Sequence, residues 1–406
     1  MRPRLPAALL ATALAVMGLG ACGGGGGNSR TIQVDYHSDD FAGAFIGYYP
    51  NNVTLRPGMT LQFHQSWNGE PHSVTMGAVI DQKIAPVLDL VRGIHDGTKK
   101  DPGEPPPEFD QDFFFNRLPN LFQNNTDALG QDAAHPCYAK SVDDLPLDHA
   151  KACPKADQVQ PAFTGRLAYY SSGFIPFEGA GGNTFSINIA KDAKPGKYFY
   201  YCNVHGPLMS GELTVSKSAA VESQASINRR GKAEANRSAK PLLAAYRKEV
   251  AGKGQYKGNL AGSGDKSTEN VEGFVSEFTP AQINATVGQK VTWTFIGDHT
   301  ITFNVPPYTP LLMLDKKGNL ILNQGLDKAK GGWPGAPRDH SANSGNGPPP
   351  PAIHLDAGNF DGTGGVHSSG TGFNTGDTYS VTFTKAGTYP YACLIHPGMI
   401  GKVVVK

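Results

Sequence analysis

The chain has 406 residues, too long for one ordinary β-sandwich and long enough for two. Lys and Arg number 36 against 35 Asp and Glu, and the net charge of +1 gives no support for nucleic acid or another acidic polymer as a partner. Gly (50 residues) and Pro (31) are too abundant for a helical protein and fit a loop-rich, all-β one.

The first predicted element is an export signal. Arg2 and Arg4 precede an apolar run from Leu5 to Leu19, and small residues lead to Cys22. The run is too short and wrongly flanked for a membrane span, so residues 1–22 read as a signal peptide. Its Leu19-Gly20-Ala21-Cys22 ending resembles the lipobox of bacterial lipoproteins. That resemblance implies cleavage before Cys22, a diacylglycerol on its sulfur, and a Gly-rich tether over residues 23–30. It also implies a chain lipid-anchored on the extracytoplasmic face of a bacterial membrane. An ordinary cleaved signal with an incidental cysteine is the alternative reading.

Further along, two blocks each occur twice. Residues 49–63 read as a short strand, a turn at Gly58 and an alternating strand bearing Leu61 and Phe63, followed by Pro71-His72-Ser73-Val74-Thr75. Residues 278–293 repeat this with Gly288, Val291 and Trp293, followed by Asp298-His299-Thr300-Ile301-Thr302. The second block is a strand at 184–189, the turn Cys202-x-x-His205-x-x-x-Met209 and a strand from Gly211. Its copy is a strand at 379–383, the turn Cys393-x-x-His396-x-x-Met399 and a strand from Gly401. A period of two puts Tyr198, Tyr200 and Cys202 on one face, and likewise Tyr389, Tyr391 and Cys393, both sets expected to point inward.

Short alternating strands between Gly and Pro turns predict two antiparallel β-sandwiches. Domain 1 spans 31–216 with an insertion over about 77–165, and domain 2 spans 267–406 with an insertion over about 306–370. Residues 217–266 read as a basic flexible linker in which only 240–250 suggest a short helix. In the first insertion, apolar residues at helical spacing from Val79 to Val91 predict a helix interrupted at Pro86. In the second, residues 331–351 predict an extended or mobile loop.

Of the five cysteines, Cys22 goes to lipid under the lipobox resemblance. Cys137 and Cys153 lie close together in one polar, Pro-rich stretch and could close a local disulfide in an oxidising compartment. Cys202 and Cys393 remain, in near-identical surroundings. Each repeat offers an upstream histidine and then Cys, His and Met on one turn: His72, Cys202, His205 and Met209 in domain 1, His299, Cys393, His396 and Met399 in domain 2. Two imidazoles and a thiolate with an axial thioether form the donor set of blue copper, so one copper per domain is expected, two per chain. Zinc is the competing metal, and the single thiolate with a nearby methionine favours copper. One more residue separates His205 from Met209 than His396 from Met399, so the two loops are not identical in length. The other histidines (His37, His64, His95, His135, His149, His340, His354 and His367) lack paired spacing and are expected at the surface or satisfied in the core.

These segments resemble the cupredoxin family, in particular its plastocyanin and amicyanin group. The likeness is carried by Pro71-His72-Ser73-Val74, Asp298-His299-Thr300-Ile301, the two Cys-x-x-His turns and the closing strand after Gly401, and covers about half the chain. It implies Greek-key β-sandwiches and a carrier of single electrons between redox proteins of the membrane or periplasm. It also implies that His205 and His396 reach the surface through apolar patches and serve as electron ports. Some two-domain cupredoxins resemble copper nitrite reductases or small laccases, which need a second copper wired through a histidine next to the cysteine. No His-x-His pair occurs, and the cysteines are flanked by Tyr201, Asn203, Ala392 and Leu394, so no enzyme is expected. A copper-handling lipoprotein without redox cycling is one alternative. A metal-free docking domain beside one copper domain is another.

Overall fold

Alternation of apolar and polar residues produces two β-sandwiches, joined by more than a linker. The computed structural model describes residues 27–66, 71–95, 98–99, 136–141, 160–175, 183–268, 271, 273–305, 312–314, 320–322, 352–370, 375–396 and 398–406. The signal peptide with Cys22, residues 23–26 of the tether, Cys153 and the Pro-rich segment 331–351 lie outside them.

In the first sandwich a four-stranded sheet runs in the order Tyr48–Tyr49, Ser29–Val34, Thr60–His64, Thr184–Asn188. It faces a six-stranded sheet in the order Asn52–Leu55, Gly206–Val215, Gly196–Cys202, His72–Met76, Tyr169–Ile175, Cys137–Ala139. The second sandwich repeats the plan. Its five-stranded sheet runs Gln282–Ala285, Ile400–Val405, Gly387–Ala392, Thr302–Phe303, His367–Ser368. Equivalent strands pair in equivalent registers, with Val53 opposite Leu213 in one domain and Ile283 opposite Val403 in the other. In both, the strand leading to the cysteine lies beside the strand that follows or carries the upstream histidine. That adjacency brings donors from distant parts of the sequence to one end of each sandwich.

The inward parity expected for the tyrosines holds: Tyr198, Tyr200, Tyr389 and Tyr391 are all buried. Tyr200 meets Tyr48 and Phe63 edge-on at ring separations of 4.9 and 5.0 Å. In domain 2 the indole N–H of Trp293 donates to the Tyr391 hydroxyl at 3.1 Å, so the largest core side chain is also satisfied.

Helix α1, Ala78–His95, fills part of the first insertion and passes through Pro86 without ending. Pro86 and Gln82, whose carbonyl loses its helical partner, are both exposed. Val79, Ile80, Ile84 and Leu88 pack on Tyr169 and Tyr201, which explains why Tyr201 is buried although it points away from the sandwich core. The second insertion is shorter than expected. His354–Phe360 and His367–Ser368, assigned to it from the sequence, are strands of the domain 2 sheets.

The expectation of a flexible linker over 217–266 is corrected. Residues Gln224–Val250 form helix α2, capped by the Ser223 side chain accepting from the Ser226 N–H at 3.2 Å. Its buried residues are Ile227, Gly231, Ala235, Leu242, Ala245 and, in the last turn, Glu249. Small residues let the helix approach closely: a Cβ on Gly231 would sit 2.6 Å from the carbonyl carbon of Tyr49. The helix packs on Ser29–Val34 and Tyr48–Tyr49 of domain 1 and on Asn259–Ser263 and Phe274–Thr279 of domain 2. Asn259–Ser263 belongs to the second domain's six-stranded sheet, so that domain begins before residue 267. Gly43–Ala44, from domain 1, forms the edge of the same sheet by pairing with Phe274 and Val275. A cluster of Phe41, Phe45, Tyr49, Ala235, Leu242 and Val275 closes the seam between the domains.

Candidate metal centres

Each pair of adjacent strands ends in one group of donors, and the two groups match. His72 Nδ1 lies 3.2 Å from His205 Nδ1, and His205 Nδ1 lies 3.7 Å from Cys202 Sγ. His299 Nδ1 lies 2.9 Å from His396 Nδ1, which lies 3.7 Å from Cys393 Sγ. Among the described residues, these are the two groups of three or more His, Cys, Asp or Glu that converge as metal ligands would. Both cysteines are unpaired and buried. Met209 and Met399 are fully buried in the same clusters as their cysteines, at the ends of the Cys-His loops.

The thiols are set up as thiolates. Burial alone would raise the pKa of Cys202, but the imidazoles of His205 and His72 outweigh it and hold the thiol well below its ordinary value. The same opposition, with His396 and His299, acts on Cys393 with the same outcome. Backbone donors add to it: the Ser73 N–H points at Cys202 Sγ at 3.3 Å and the Thr300 N–H at Cys393 Sγ at 3.4 Å.

Ser73 and Thr300 were missed as site residues although the repeat offered the signal, since a hydroxyl residue follows the histidine in both copies. Each hydroxyl accepts from the backbone N–H just after the cysteine, Asn203 at 2.7 Å and Leu394 at 2.8 Å. These bonds fix the loop against the histidine strand, which orients thiolate and imidazole together.

The two sites differ at the far nitrogen of the upstream histidine. His72 Nε2 meets Asp35 Oδ2 at 3.2 Å, with both side chains fully buried. Burial pushes His72 down, but the bonds to Asp35 and Cys202 outweigh it and raise its pKa. For His299 burial dominates and lowers it. The expected ports also differ. His205 is half-buried and followed by the exposed Leu208. His396 is only 7% exposed and its ring packs on Phe274 at a centroid separation of 4.7 Å, so the expectation that it reaches the surface is corrected.

Cys137 is disulfide-bonded, and Cys153, expected as its partner, lies outside the described residues. Four of the other histidines have local partners: His37 meets Asp39 at 3.5 Å, His64 Thr184 at 2.8 Å, His354 Thr378 at 2.9 Å, and His367 the Tyr379 hydroxyl at 3.0 Å. His135, His149 and His340 lie outside the described residues.

The donor set fits copper by its chemistry. One thiolate suits Cu(I), two imidazoles suit both oxidation states, and each core also buries a thioether, a group that copper accepts and zinc does not favour. Residues 360–406 match the copper-binding proteins of the plastocyanin/azurin family. A segment of 28 residues is 68% identical to amicyanin from Paracoccus denitrificans, covering 7% of this chain and 21% of that protein. The chain thus spans about a fifth of the length of the curated relative it matches. A purple cupredoxin from Nitrosopumilus maritimus is 22% identical, with 32% of this chain and 83% of that one covered at a TM-score of 0.15. Auracyanin from Roseiflexus castenholzii is 15% identical, with coverage of 47% and 99% and a TM-score of 0.21.

Proposed function

We propose that this chain, a cupredoxin-family protein, holds one type 1 copper in each sandwich and passes single electrons between extracytoplasmic redox partners. The observation that carries the reading is the duplicated donor set: two Nδ1 atoms and a buried thiolate, each thiolate receiving a backbone N–H from the residue after the upstream histidine. Copper bound there supplies a one-electron couple at each site.

The protein's own part is to keep the donors still. Ser73 and Thr300 tie each Cys-His loop to its histidine strand, so little ligand movement need accompany a change of charge on the ion. Burial of the cysteines and of Met209 and Met399 keeps water from the sulfur side. The half-buried His205 beside exposed Leu208 supports an entry point for a small, transient partner, where rapid release matters more than affinity. The reading includes no catalytic centre, since neither cysteine has the neighbouring histidine that would wire it to a second kind of copper. Attachment to the membrane through Cys22 is part of the same proposal and rests on the lipobox resemblance.

Reductive titration of the copper-loaded protein separates a carrier from a copper-handling protein. The expected outcome is an intense visible band that bleaches and returns reversibly with one electron per copper. A protein that retains Cu(I) without an accessible coloured state would overturn the carrier reading.

A further inference from the structure

Asp35 and Phe274 belong to neither donor set, yet between them they join the two. The strand Ser29–Val34 runs parallel to Thr60–His64 with Ile32 opposite Phe63, and Asn259–Ser263 runs parallel to Lys290–Phe295 with Asn259 opposite Trp293. Phe63 and Trp293 are repeat equivalents, so Asp35 and Gly262, each three residues further on, occupy the same place in the two domains. Both have positive φ, 58° and 90°, and both face the far nitrogen of a ligand histidine. Domain 1 therefore carries a buried carboxylate where domain 2 carries no side chain. An aspartate in this backbone region is uncommon, and its retention needs the surrounding structure to hold it.

That carboxylate also leads out of domain 1. Asp35 Oδ1 accepts the N–H of Phe45 at 2.7 Å, and the same peptide unit contains the carbonyl of Ala44. Ala44 pairs across the domain seam with Phe274, so closely that a Cβ on neighbouring Gly43 would lie 2.4 Å from the Phe274 carbonyl oxygen. The Phe274 ring then packs on His396, a donor of the second site, at 4.7 Å between centroids. From one ligand histidine to the other, each step is a covalent bond, a hydrogen bond or a ring contact.

We propose that His72, Asp35, Phe45, Ala44, Phe274 and His396 form an electron relay from the domain 1 copper to the domain 2 copper. The relay rests on the two-copper reading above. One electron leaves Cu(I) at the first site, which becomes Cu(II), and reduces Cu(II) at the second to Cu(I). No ligand bond breaks and no proton is released. Direction follows from the unequal access to the two sites. The half-buried His205 and the covered His396 agree with entry at the first site.

The test is fast partial reduction of the fully copper-loaded chain, followed by rapid-freeze paramagnetic resonance, with Cys202→Ser and Cys393→Ser supplying the spectrum of each site alone. The expected result is electron transfer from site 1 to site 2 at a rate independent of protein concentration. Phe274→Leu, which keeps the strand pairing and removes the ring, should slow it several-fold while both copper spectra persist. Asp35→Ala, which removes the acceptor of the Phe45 N–H, should also slow it. In the copper-free protein, diethylpyrocarbonate should modify His205 faster than His396, and Phe274→Leu should remove the difference. An exchange rate that depends on protein concentration, or that neither variant changes, would overturn the relay while leaving two coppers in place. Equal reactivity of His205 and His396 in the unaltered chain would overturn the ring contact it needs. A chain with fewer than two blue coppers would instead sink the functional reading beneath it.

Discussion

Gly262 shows how much a single side chain decides at these sites. A Cβ there would stand 2.2 Å from the Ile296 carbonyl oxygen and 2.6 Å from His299 Nε2, at a φ of 90°. Gly262→Ala is therefore expected to destabilise domain 2, by roughly 1–3 kcal/mol from backbone strain alone, with displacement of His299 in addition. The measurable signature is a changed site 2 copper spectrum with site 1 intact, and an unchanged site 2 spectrum would contradict the packing described. The donors themselves were legible in the sequence, because two copies of His and Cys-x-x-His-Met spacing leave few other readings. Asp35 and Gly262 were not. Asp35 follows one strand and Gly262 lies within another, the two strands have no sequence likeness, and only their parallel registers bring the two positions into correspondence.

Among the secondary-structure elements, the two helices were unequally legible for a physical reason. Helix α1 shows its buried face as Val79, Ile80, Ile84 and Leu88, a strong apolar stripe. Helix α2 hides its face in Gly231, Ala235 and Ala245, residues that serve close approach and give little hydrophobic periodicity. With Pro241 inside it and basic residues around it, the segment reads as a linker until the surfaces it covers are known. Helix α1 also carries a pH dependence. Asp81 is raised from its ordinary 3.8 to about 6 by burial, although the Phe199 N–H donates to it at 2.7 Å. Between those two values the folded chain holds more protons than the unfolded one, so this contribution to stability is fully present below pH 3.8 and is lost as pH rises through about 6. Asp81→Asn keeps an acceptor for Phe199 and should remove this part of the decline, worth roughly 1–2 kcal/mol after allowance for partial exposure. Denaturant unfolding of both proteins at pH 4.5 and pH 7 checks it, and parallel pH dependences would contradict the assignment.

At the level of the whole molecule, the seam makes the two sandwiches one unit. Phe41 and Phe45 from domain 1, Val275 from domain 2, and Leu242 from α2 share one buried cluster, and Gly43–Ala44 completes the neighbouring domain's sheet. Unfolding should accordingly be a single calorimetric transition. Leu242→Ala should cost about 2–5 kcal/mol and begin to separate the domains into two transitions. Two well-resolved transitions in the unaltered chain would contradict the coupling. The tandem architecture was readable from the repeat, but the joining of the domains was not. Its residues come from a loop, a helix and an edge strand that share no motif.

The central claim is that each sandwich holds its own type 1 copper, and copper content measured with visible and paramagnetic-resonance spectra on Cys202→Ser, Cys393→Ser and the unaltered chain tests it most directly. Two coppers in the unaltered chain, one in each variant, and the loss of a different blue centre from each is the predicted result. Retention of both blue centres after either change, or a single copper in the unaltered chain, would contradict it.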